Sequence, residues 1–175
     1  MGFLDSGESV CPIAQTLAIV GERWTLLILR EMFMGSTRFD EFQMYTEAAP
    51  HLLSTRLKQL EVDGIVTREL YQERPPRHEY KLTAKGLDLF PVIMGLKAFG
   101  DKHGKYRSRG KAAITVVHAK CGHSTELKMR CSCCDEPYGP MDVLNQLNRA
   151  FASEREERKA AFIEKQRGKS RRAPK

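Results

Sequence analysis

The 175-residue sequence contains no apolar run near the roughly 18 residues needed to cross a bilayer, which excludes a membrane-spanning helix. Met1 to Val10 also lacks the charged and apolar regions of a secretory leader, so the chain is expected to be cytoplasmic. Five cysteines make an odd number, and in a reducing compartment they are expected as thiols or metal ligands rather than as a disulfide framework. Acid is scarce beside base: 22 Asp and Glu against 29 Lys and Arg leave a formal charge of +7, which favours polyanionic partners such as nucleic acid. No internal repeat is present. His51, His78, His103, His118 and His123 stand at no recognisable nucleophile spacing from Cys11, so an enzyme is not expected.

What the chain does contain is a globular balance, 41% hydrophobic and 29% charged, arranged at helical and strand periods. Pro12 follows a capping position, and Ile13, Leu17 and Val20 recur at helical spacing, giving a first helix that Gly21 interrupts. Trp24 to Met34 is apolar nearly all round, reads as a central buried helix, and meets Gly35 at its end. Thr37-Arg38-Phe39-Asp40 has the form of a capping box opening a short helix through Met44, with Phe39 and Phe42 inward. Pro50 then sits at the first position of another helix that ends at Asp63-Gly64. Two short helices joined by a tight break form a helix-turn-helix candidate.

Leu53, Leu57 and Leu60 fall at i, i+4 and i+7 and make the buried stripe of that second helix. Pro50 begins the helix, and His51, Ser54, Thr55 and Lys58 form an opposite face able to hydrogen-bond base edges or phosphates in a major groove. Ile65 to Tyr71 has strand composition, residues 72–77 make a turn, and His78 to Leu82 returns as a strand. Pro75 and Pro76 stiffen the tip while Arg74 and Arg77 present guanidinium groups suited to a phosphate backbone or minor groove. Thr83 is expected to cap a long helix, bent at Pro91. Its Leu87, Phe90, Ile93, Met94 and Phe99 exceed what a small domain buries and imply a partner surface. Lys102 to Lys111 reads as a linker.

The order of these residues resembles the HxlR-type family of winged helix-turn-helix regulators, over roughly half the chain. The stretches that carry the resemblance are Cys11-Pro12, Gly21 to Arg30, Arg38 to Phe42, Leu53 to Glu61, Asp63 to Val66 and Tyr80 to Gly86. It implies a mainly α fold with a small β-hairpin wing, and a homodimer joined through the first and last helices of the region. It also implies two recognition helices in successive major grooves of double-stranded DNA. Arg38, Pro50, His51, Ser54, Thr55, Lys58, Arg74 and Arg77 are the expected DNA-binding residues. Ala49 departs from the Ser or Thr usual before the proline and removes a cap of about 1 kcal/mol. The implied function is sequence-specific, dimeric DNA-binding regulation, with a small-molecule or oxidant effector as a further partner. The alternative is a winged-helix protein-interaction module that does not read DNA.

Cys11 lies at a helix N-terminus, where unpaired amides favour the thiolate, and in some family members this cysteine senses oxidants; a small packed residue is the competing reading. His118-x2-Cys121 and Cys131-x2-Cys134, nine residues apart after a strand-like Ile114 to Val117, resemble the two knuckles of a structural zinc ribbon. His123 or Cys133 are alternative ligands, and Asp135 stands where a knuckle glycine is usual. The expected organisation is residues 1–110 as the winged-helix and dimerisation domain, 111–142 as the ribbon, and 143–175 as an amphipathic helix with a basic tail.

Overall fold

The structure, a computed structural model, describes residues 9–104 and 112–170, with side chains to Lys165. Most of the expected Lys102–Lys111 linker and of the basic tail from Arg167 lies outside the described side chains, as do residues 1–8. The chain divides into two compact units, Glu22–Gly139 and a second that joins Met1–Gly21 to Pro140–Lys175.

The larger unit begins with α2 (Arg23–Phe33), capped by the Glu22 carboxylate, which accepts the Trp24 backbone N–H at 2.8 Å. This helix buries Thr25, Ile28, Leu29 and Met32 at i, i+3, i+4 and i+7, a stripe narrower than its composition suggests. α3 (Phe39–Thr46) runs two residues beyond Met44. Its first turn is closed by Glu41, whose Oε2 accepts the N–H groups of both Thr37 and Arg38 at 2.9 Å, in place of the expected Thr37 and Asp40. Those two amide bonds hold the Glu41 carboxyl below the usual carboxylate range. Only Glu47, Ala48 and Ala49 separate α3 from α4 (Pro50–Val62), and Glu47 turns the chain in the left-handed region at φ 56°. The buried Thr46 hydroxyl fixes this turn, donating to the Phe42 carbonyl at 2.6 Å and accepting the Ala48 N–H at 3.3 Å.

Phe42, Leu53, Leu57, Leu60 and Ile65 join Ile28 and Leu29 in one core of almost fully buried side chains. At about 1.5–3 kcal/mol for each large side chain buried, this stripe fixes how α4 lies on α2 and α3. Gly64 (φ 67°) leads into β1 (Val66–Gln72), which pairs antiparallel with β2 (Arg77–Leu82), Val66 opposite Leu82 and Leu70 opposite His78. Thr83 caps a helix of only four residues, α5 (Ala84–Leu87), and a new helix, α6 (Phe90–His103), starts with Pro91 in its first turn. The long bent helix expected from the sequence is therefore two helices, because proline fits a helix start without loss of a hydrogen bond. Phe33 of α2 and Phe90 of α6 meet with ring centroids 5.3 Å apart.

In the smaller unit α1 (Pro12–Val20) starts at Cys11, and α7 (Arg149–Ser170) begins six residues after the expected Val143. Glu154 of α7 accepts the Ser9 hydroxyl at 2.7 Å and the Val10 N–H at 2.9 Å.

Candidate nucleic-acid interface

Because Leu53, Leu57 and Leu60 face the core, helical geometry turns Pro50, His51, Ser54, Thr55 and Lys58 outward, and all five are exposed. The Thr55 hydroxyl donates to the His51 carbonyl at 2.8 Å, so its proton is engaged and it presents acceptor lone pairs and a methyl group. Ala49 offers no side-chain cap. The wing rises from the C-terminal end of α4, and Arg74 and Arg77 are exposed at its tip. The Arg74–Pro75 peptide is cis.

Arg38, expected on the same interface, is exposed and also engaged within the fold. Its Nε and Nη2 each donate to Glu79 Oε1 at 3.2 Å, and its guanidinium carbon lies 4.6 Å from the centre of the Tyr71 ring. Sequence reading also passed over Arg56, whose Nε lies 3.5 Å from Glu22 Oε2, tying the face of α4 to the cap of α2. Glu22 and Arg56 both stand within the stretches that carry the family resemblance, but nothing local pairs them.

Cys11 is half-buried, its side chain makes no capping bond, and its N–H donates to Ser9 Oγ at 3.1 Å. The Glu154 carboxyl beside this segment is held below its ordinary range, first by the Ser9 hydroxyl and then by the Val10 amide.

Two small hairpins hold the Cys/His pairs. His118 Nδ1 and Cys121 Sγ lie 3.1 Å apart in a turn where Gly122 takes φ 73°, and the Ile114–Val117 stretch forms only a single bridge, Val117 to Ser124. In the second hairpin the Cys134 amide, then the Cys133 amide and the Cys134 thiol, hold the Cys131 thiol below its usual range. Asp135 adopts φ 56°, the conformation a knuckle glycine would take, and is held by Arg130 at 2.8 Å. Among the described residues no three His, Cys, Asp or Glu side chains come together to hold a metal ion.

The sequence model of the family described as HxlR-like helix-turn-helix matches residues 19–108, the span from the end of α1 through α6. The chain belongs to the HxlR-like helix-turn-helix family. An uncharacterized HTH-type transcriptional regulator of Mycobacterium tuberculosis, Rv3095, is 41% identical over 130 residues, covering 74% of this chain and 79% of that protein. The crystal structure of PA1607, a candidate transcription factor, superposes with a TM-score of 0.71 at 28% identity, covering 82% of this chain and 99% of that one. The redox regulator HypR in its oxidized form matches at 36% identity and a TM-score of 0.50, over 53% of this chain and 97% of that one. This HxlR-type chain is thus a winged helix-turn-helix whose hairpin is the wing. No helix among its described residues is long and apolar enough to cross a membrane.

Proposed function

We propose that this HxlR-type chain is a transcriptional regulator that binds double-stranded DNA in a sequence-specific manner, as a homodimer, and catalyses no reaction. The observation that carries the reading is the division of α4 into two faces. Leu53, Leu57 and Leu60 lock one face into the core, while His51, Ser54, Thr55 and Lys58 stand exposed on the other, on a rigid helix of the length a major groove admits. Arg74 and Arg77 at the wing tip supply phosphate or minor-groove contacts beside it.

Dimerisation is supported by apolar side chains left in solvent. Phe99 is 68% exposed and Leu96 50% on α6, and Ile13 is 70% exposed on α1. An oxidant effector acting at Cys11 is supported by the position of that thiol at the start of α1 and by the likeness to HypR. The test is selection from a random duplex pool with the purified protein. An enriched sequence with two related half-sites about one helical turn apart supports the reading; a pool that stays unenriched overturns it.

A further inference from the structure

We infer that Arg38 is a positioning residue: it fastens the wing to the start of α3 through Glu79 and Tyr71 and acts on DNA through the wing rather than by touching phosphate itself. The inference rests on the DNA-binding reading of α4 and the wing, and it changes the role expected for this arginine. Three contacts converge. The guanidinium grips one carboxylate oxygen of β2 with two nitrogens at 3.2 Å, and it lies 4.6 Å from the centre of the β1 ring. The backbone on either side is stitched to the same strand, with the Tyr80 N–H donating to the Thr37 carbonyl at 2.7 Å and Arg38 bridging Glu79. A guanidinium held by a carboxylate and an aromatic face has its plane fixed, so it sets where β1 and β2 leave the core. Arg74 and Arg77 lie farther along the same two-stranded hairpin, which has no third full strand to stiffen it.

Glu79 gives the decisive test, because the two roles of Arg38 give opposite signs there. If Arg38 contacts phosphate, Glu79 is only an acid near a polyanion that competes for the guanidinium, and Glu79→Gln tightens DNA binding. If Arg38 positions the wing, Glu79→Gln loosens it and weakens binding by about two- to fivefold, the size of a lost exposed ion pair. The salt dependence separates the roles a second time. Loss of a phosphate contact made by Arg38 itself lowers the slope of log K against log salt by about 0.9 in Arg38→Gln alone, whereas loss of positioning slackens the Arg74 and Arg77 contacts and changes the slope alike in Arg38→Gln and Glu79→Gln. Tyr71→Leu is expected to weaken binding in the same direction as Glu79→Gln.

The experiment is fluorescence anisotropy on the selected duplex, for the full chain and these three variants at four salt concentrations, with circular dichroism to confirm folding. Weaker binding by Glu79→Gln, with a slope equal to that of Arg38→Gln, supports the assignment. Tighter binding by Glu79→Gln, or a slope lowered by about 0.9 in Arg38→Gln alone, overturns it. If the unaltered chain shows neither affinity nor salt dependence, it is the DNA-binding reading that fails, a result distinct from either of these.

Discussion

Alanine in place of glycine inside a helix ordinarily stabilises a protein by about 0.5–1 kcal/mol, and at Gly86 the sign reverses. A Cβ built there would lie 2.2 Å from the Ile65 carbonyl oxygen and 3.0 Å from Leu82 Cδ2. The oxygen cannot yield cheaply. It accepts the Thr83 N–H at 3.0 Å and the Thr83 hydroxyl at 3.2 Å, and its residue is a core side chain leading directly into β1. Relieving an overlap of this kind costs about 1–3 kcal/mol in displaced packing, with about 1–3 kcal/mol more if the carbonyl loses its donors. Gly86→Ala is therefore expected to destabilise the domain by about 2–6 kcal/mol when both costs apply. Gly100→Ala, where nothing lies within 4 Å of the built Cβ, is the matched control and should be neutral or stabilising. Urea unfolding of both variants, followed by circular dichroism with the slope m held in common, measures the difference. A Gly86→Ala variant as stable as the parent would refute the close approach of α5 to Ile65.

Glu47 occupies the left-handed region at φ 56° in the break between α3 and α4, so Glu47→Gly should raise stability by about 1 kcal/mol in the same urea assay; a loss of that size would show that the turn is not left-handed. The Ser9–Glu154 clasp should depend on acid. Because the folded Glu154 carboxyl lies below its ordinary value, the stabilisation is present above about pH 4.3 and is lost as pH falls through the lower, folded value. Slowed hydrogen exchange at the Val10 amide should follow that profile, and unchanged protection in Glu154→Ala would rule out the clasp. Treatment with peroxide should change DNA affinity in the parent chain and leave Cys11→Ser unaffected; an equal response in both would remove Cys11 from the effector role.

Periodicity alone locates α4, because burial on one side of a helix leaves a repeated mark at Leu53, Leu57 and Leu60, whereas α2 shows as an apolar run and the hairpin as strand composition on either side of a proline-containing turn. Features set by a partner far along the chain left none. Nothing near Ser9 announces Glu154, 145 residues away, and nothing near Arg38 announces Glu79. Local chemistry misled where two residues could serve one purpose. Thr37 and Asp40 fit the capping pattern as well as Glu41 does, and only the register of α3 decides between them. In sequence Pro91 reads as a bend because the apolar period continues across Asp88 and Leu89, whereas the backbone restarts there. On the interface, the outward face of α4 follows from its buried face, but which cations are free to meet DNA does not: Arg38 and Arg56 look like their neighbours in sequence and are held by acids in the fold.

The most direct measurement of the central claim is the salt-dependent affinity of the selected duplex for the parent chain and for a His51→Ala, Thr55→Ala, Lys58→Ala triple variant of unchanged stability. The parent is expected to bind with a steep negative salt slope and strong preference over scrambled duplex. The triple variant should lose that preference, with a slope smaller by about 0.9 for the one lysine removed. Undiminished preference in the triple variant would contradict the assignment of α4 as the element that reads DNA.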